Sequence, residues 1–161
     1  MLRNNLRVCV GEQQLRQLRY KQVQTMHYCR AGIWVEDAHP LNRAIQVPGP
    51  LQSNQIGELA AILVTAQIAP KTADLTIITD SMYVIWAMNH SLKPWEDSGW
   101  VNTLNTEWLK ATAFHLWQRS APTHFKWVKG HNGTWGNKEA DKLANTGVVM
   151  GQFSFSYLIC D

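Results

Sequence analysis

From Arg30 onward, apolar and polar positions follow two rhythms, one of period two and one near 3.6. Residues 31–35 (AGIWV) predict a strand, residues 37–42 hold turn formers, and residues 43–47 predict a returning strand. Pro48-Gly49-Pro50 breaks that run. Residues 55–69 predict a helix with Ile56, Leu59, Ala60, Leu63 and Ala66 on one apolar face, and Pro70 stops it. Residues 75–79 (LTIIT) are short and β-branched, as a buried strand is. A helix over 81–89 follows, then a loop over 91–101 with Pro94 and Gly99. A second amphipathic helix covers 104–119, residues 123–128 alternate as a strand, and residues 137–145 predict a helix with Ala140, Leu143 and Ala144 on one side. Before Arg30 the signal is thinner. Residues 6–10 could form a short strand, and residues 12–24 read as a polar helix or an unstructured arm. The segment 153–157 alternates like a strand but has no obvious partner.

The order from Arg30 is therefore β-β-α-β-α-α-β-α. Two hairpin-like strands, then strands alternating with helices, predict an α/β fold with a mixed sheet and flanking helices. A chain of 161 residues is one domain by length. Three parts are expected: a divergent arm over 1–29, the domain over 30–147, and a tail over 148–161.

Charge adds little. Residues 1–35 carry six Arg and Lys against one acid, Glu12, a balance of +5. The remaining nine basic and eleven acidic residues come to −2, so overall charge does not argue for a nucleic-acid partner. Cys9, Cys29 and Cys160 lack metal-type spacing and read as free thiols of a reducing compartment. The first fifteen residues have no continuous apolar run, and the apolar stretch 147–160 is too short to span a bilayer. An intracellular protein, nuclear or cytoplasmic, monomeric and with no membrane partner, is the expectation.

Candidate chemistry lies in four residues. Asp80 follows the 75–79 strand, at the carboxyl end where sites gather in open α/β sheets, although Asp80-Ser81 would equally serve as a helix cap. Glu58 reads as a first-turn residue of a mostly apolar helix, where a carboxylate is also electrostatically welcome. Asp141 lies one turn after Asn137, the expected helix cap, at the edge of the Ala140–Ala144 stripe. His131, between Gly130 and Gly133, sits on a loop able to approach a ligand closely. Carboxylates from the ends of separate elements are how proteins hold Mg²⁺, and two such ions can activate water against a phosphodiester.

Three stretches carry a resemblance: Asn54-Gln-Ile-Gly-Glu58-Leu59, Thr79-Asp80-Ser81-Met-Tyr83-Val84, and Lys129-Gly-His131-Asn-Gly-Thr-Trp-Gly-Asn137-Lys-Glu-Ala-Asp141-Lys-Leu-Ala. Together they resemble the type 1 ribonuclease H domain over roughly residues 30–147. The resemblance implies an endonuclease that cuts the RNA strand of RNA–DNA hybrids with two Mg²⁺ ions, or Mn²⁺ in their place. It implies that Glu58, Asp80 and Asp141 are metal ligands and that His131 assists proton movement or product release. Asn54 and Gln55 would face the hybrid's minor groove, Ser81 would be a further nucleic-acid contact, and Lys93 with Trp95 would grip the DNA strand. Five tryptophans fall in residues 86–117, and most of them read as core.

One part of the resemblance is missing. The family's first strand ends in Asp-Gly-Ser, and its Asp bridges both metals. Residues 1–29 contain no such motif. Three explanations compete: a wrong or truncated N-terminus, a degenerate module that binds hybrids without cutting them, or substitution, with residues 6–10 as the strand and Glu12 as the acid. A catalytically inactive hybrid-binding module is thus the alternative function. A scaffold that binds neither hybrid nor metal is a third. A transposase-type nuclease of the same architecture finds no support in the Lys129–Asp141 motif.

Overall fold

The computed structural model describes residues 5–15, 28–47, 53–130 and 135–146. Five strands form one sheet in the order β3-β2-β1-β4-β5: β1 Asn5–Leu15, β2 Tyr28–Trp34, β3 Arg43–Gln46, β4 Asp74–Thr79 and β5 Thr123–Trp127. β1, β2 and β3 pair antiparallel, and β1-β4-β5 pair parallel. The helices are α1 Asn54–Ile68, α2 Met82–Trp86, α3 Leu92–Asp97, α4 Thr106–Trp117 and α5 Trp135–Asn145.

A first strand is present although residues 1–29 hold no Asp-Gly-Ser. β1 occupies the sheet's centre, and Val8 and Val10 are buried at 1% and 0% exposure. The strand expected over 6–10 is longer than its apolar core, because backbone pairing with β2 continues through Leu15 with Tyr28. Residues 12–15 are therefore strand rather than helix or arm, residues 16–24 lie outside the described set, and the boundary expected at residue 29 cuts across β2. The 148–161 tail also lies outside the described residues.

Strand alternation sorts the two faces of the sheet. Val8, Val10, Ala31, Ile33, Leu75 and Ile77 pack with Ala61, Ile62 and Val64 of α1. Cys9, Gly11 and Gly32 fall on the opposite face, under α5. α1 has no polar side over most of its length: every residue from Ile56 to Ala66 is buried. Its far side packs against Trp108, Leu109 and Ala113 of α4, so the single apolar face expected from the sequence is replaced by burial all round.

Two expectations between 81 and 101 change. α2 passes into a π-turn over Ala87–Ser91, closed by the Leu92 N–H on the Ala87 carbonyl. Half of the expected loop is α3. Pro94 does not forbid it, because it stands in the helix's first turn, where its missing N–H would have no helical partner anyway.

Cys9 and Cys29 are buried; the Cys29 thiol donates to the Ser53 carbonyl at 3.3 Å, and burial pushes Cys9 up to about 11. Relative to its ordinary value of 9.0, that lowers the thiolate fraction at neutral pH about a hundredfold. Alkylation of the native chain with iodoacetamide, followed by peptide mass spectrometry, should leave Cys9 unmodified while the denatured chain reacts fully. Prompt labelling of Cys9 in the native state would mean that α5 does not cover it.

Candidate active site

The carboxyl ends of β4 and β5, the start of α1 and the first half of α5 meet at one end of the sheet. Ser53 caps α1 by accepting from the Ile56 N–H at 3.2 Å. That start puts Glu58 in the helix's second turn, not its first, at 5% exposure. A carboxylate so deep requires a donor. Thr79 supplies one: its hydroxyl donates to Glu58 Oε2 at 2.9 Å and accepts from the Ser81 N–H at 3.0 Å. Thr79 points to the α1 face, and alternation then sends Asp80 to the α5 face. One short strand end thus serves two acids on opposite sides of the sheet.

Asp80 is held from three directions. Its carbonyl accepts from Trp127 Nε1 at 3.1 Å, and Asn137 Nδ2 reaches its Oδ2 at 3.4 Å. Gly130 passes so close that a Cβ there would lie 2.6 Å from Asp80 Oδ2. Ser81 caps α2 by accepting from the Val84 N–H at 3.3 Å, so Asp80-Ser81 is both site and cap. Asn137 is not the cap of its helix. α5 begins at Trp135, and Asn137 is buried at 1% exposure, with its Oδ1 having no partner.

Asp141 lies over β1, and what lies beneath it is a glycine. A Cβ built on Gly11 would fall 2.2 Å from Asp141 Oδ1 and 3.0 Å from the Asp141 nitrogen. Continued two residues beyond Cys9 with Ile78, the parallel register brings Gly11 level with Asp80. Gly11 is therefore the β1 position between Asp80 and Asp141, and it offers no side chain. Glu12 is the next residue along the strand, with its backbone opposite Ala31. Among the described residues, no three His, Cys, Asp or Glu side chains form a group able to hold a metal ion. Two dications held close need several compensating carboxylates. The described side chains do not fit the two-ion site that the resemblance implies, because β1 offers only Gly11 at the position level with Asp80, and Asp141 fills the room above it. His131 lies outside the described residues.

The other expected contacts divide. Asn54 and Gln55 are exposed at the start of α1, and Gln55 Oε1 accepts from Asn105 Nδ2 at 3.2 Å. Asn105 Nδ2 also lies 3.3 Å from the Tyr83 hydroxyl, which extends this polar strip. Lys93 is engaged locally, at 2.5 Å from Asp97 Oδ1 and 3.9 Å from Glu96. Trp95 is half-buried, edge-on to Trp86 at 5.3 Å and tilted against Trp100 at 6.5 Å. Trp86, Trp117, Trp127 and Trp135 are exposed, so only Trp108 of the 86–117 group is fully core.

Sequence reasoning passed over Thr79, Asn137, Trp127 and Gly11 as site residues. Thr79 and Asn137 stood inside the quoted motifs, next to Asp80 and one turn before Asp141. Gly11 carried no signal, because a missing side chain cannot announce itself by type.

A mixed sheet with β1 at its centre, α1 and α5 on opposite faces, and acids just past the end of β4 and near the start of α1 together make one α/β domain. The RNase H family model matches residues 22–149, and the chain belongs to that family. It is 36% identical over 131 residues to human Ribonuclease H1, covering 76% of this chain and 45% of that protein. The chain thus spans less than half the length of that relative. The crystal structure of LC9-RNase H1, a type 1 RNase H with the type 2 active-site motif, superposes with a TM-score of 0.69 at 22% identity, covering 91% of this chain and 72% of that one. A foamy viral protease–reverse transcriptase in complex with RNA/DNA hybrid superposes with a TM-score of 0.65 at 22% identity, covering 88% of this chain and 20% of that one. At these identities the superpositions speak for the fold.

Proposed function

We propose that this domain recognises RNA–DNA hybrids and that its endonucleolytic cleavage of the RNA strand runs near background. Family membership supports the substrate class and the reaction type. The observation that carries the reduced activity is Gly11, a residue without a side chain at the central strand position between Asp80 and Asp141. Glu58, Asp80 and Asp141 remain, but carboxylates lacking enough bound cation repel a phosphodiester. Asn54, Gln55 and Ser81 supply donors and acceptors suited to the 2′-hydroxyl groups of a wide minor groove, where RNA is told from DNA. Trp95 supplies an aromatic surface beside the DNA strand. Lys93 contributes less than its charge suggests, because Asp97 and Glu96 already neutralise it. Mg²⁺ is the cofactor that the family relationship suggests, with Mn²⁺ in its place. The reading carries with it a monomer acting in the nucleus or cytoplasm.

The test pairs binding with cleavage. Fluorescence anisotropy in EDTA should show the chain binding an RNA–DNA hybrid more tightly than the matching DNA duplex. In Mg²⁺ the labelled RNA strand should remain intact over hours. Equal affinity for both duplexes would remove the substrate assignment. Rapid cleavage abolished by both Asp80→Asn and Glu12→Gln would show instead that Glu12 stands in for the missing acid.

A further inference from the structure

Gly11 does not stand alone. Its direct cross-strand partner on β2 is Gly32, so two glycines lie side by side on the α5 face of the sheet. Each meets the same helix. A Cβ on Gly11 would strike Asp141, and a Cβ on Gly32 would strike the Ala140 carbonyl. Ala140 and Ala144 are fully buried there. A third glycine answers from the helix side: a Cβ on Gly136 would fall 2.4 Å from Cys9 Sγ. The sheet therefore has a two-residue notch, and α5 rests in it at backbone distance.

We infer that the Gly11–Gly32 notch is a helix-docking seat in which the Asp141 carboxylate takes the room a cation ligand on β1 would need, and that one substitution, Gly11→Asp, would make the fold of this chain depend on divalent cations. The inference deepens the reading of the same site. Its physical basis is the asymmetry of the notch. At Gly32 the obstacle is backbone and cannot turn aside. At Gly11 the nearest obstacle is the end of a side chain, which can rotate away, and the backbone nitrogen behind it stands at 3.0 Å. A carboxylate introduced at Gly11 can thus be accommodated, but it meets the carboxylate of Asp141 at contact range. Two like charges so close oppose folding unless a cation lies between them. With the cation present, the two acids and Asp80 become a ligand set of the kind hard dications take.

The experiment is thermal denaturation of the wild-type chain, Gly11→Ala and Gly11→Asp, each in EDTA and in MnCl₂, with Mn²⁺ binding to the wild type followed by loss of its free-ion EPR signal. In EDTA both variants should melt below wild type. Mn²⁺ should raise the midpoint of Gly11→Asp by roughly 5–10 °C at about a hundred times its dissociation constant, and should leave the other two proteins unmoved. The wild-type EPR titration should show no tight site. A tight Mn²⁺ site in wild type, recovery of Gly11→Ala, or no recovery of folded Gly11→Asp would each overturn the inference. If Gly11→Asp does not fold in either buffer, the wild-type titration decides alone. Hybrid binding in EDTA is a separate readout: its loss would defeat the proposed function and leave the docking seat standing.

Discussion

Gly32→Ala is expected to destabilise the domain by about 3 kcal/mol, the upper part of the usual range for overpacking a core. The new methyl would lie 1.9 Å from the Ala140 carbonyl oxygen, 2.8 Å from its carbon and 3.0 Å from the Ala144 nitrogen. All three obstacles are backbone of one helix, so no rotamer change relieves them. β2 cannot retreat either, because it is bonded to β1 on one side and β3 on the other, and the opposite face is filled by the α1 core. The remaining escape is for α5 to lift, which uncovers Ala140, Ala144 and Cys9. For a chain of this size the midpoint should fall by roughly 6–12 °C. Urea denaturation followed by circular dichroism measures the loss, and Cys9 should become reactive in the variant first. A change under about 1 kcal/mol, small against that overpacking range, would mean that α5 does not rest on β2 as described.

The same helix shows how much could be read in advance. α5 and β4 were legible because their patterns are local: Ala140, Leu143 and Ala144 recur at helical spacing, and Leu75-Thr-Ile-Ile-Thr79 is a β-branched run. Glu58, Asp80 and Asp141 could be singled out as candidates because acids near element ends stand out against apolar neighbours. β1 was only half legible. Val8 and Val10 alternate as a buried strand should, but the strand's place at the centre of the sheet depends on long-range pairing with β2 and β4, which no local pattern carries. A search for an acid could not see that the corresponding position is a glycine. The α1 face was misjudged for a related reason: its second apolar side is covered by Trp108 and Leu109, some fifty residues away. Asn137 read as a cap because Asn favours that position, whereas the helix starts at Trp135 and Asn137 turns inward to Asp80.

Arg119→Met should cost about 2–3 kcal/mol while leaving the site untouched, on the usual worth of hydrogen bonds made by a charged donor. Arg119 is a buried cation at 9% exposure, and burial draws its guanidinium below the ordinary arginine range. It follows α4, and its three donor nitrogens reach three separate pieces of chain. Nη2 donates to the Ala73 carbonyl at 2.7 Å, Nε to Thr123 Oγ1 at 2.9 Å, and Nη1 more weakly to the Ala69 carbonyl at 3.4 Å. Ala69 ends α1, Ala73 leads into β4 and Thr123 opens β5, so one side chain ties the end of the sheet remote from Asp80. Methionine would keep most of the apolar stem but strand carbonyls that are shut off from water. Relief of the buried charge offsets part of the loss, which is why the expected figure stays below the sum of three such bonds. Lysine at this position should recover only part of the stability, since an ammonium cannot present the same planar fork. The midpoint should drop by roughly 4–12 °C, with hybrid affinity of the folded fraction unchanged at low temperature. A loss of affinity matching the loss of stability would mean that the two ends of the sheet are coupled, and that the acids around Gly11 are positioned partly from the far end of β4.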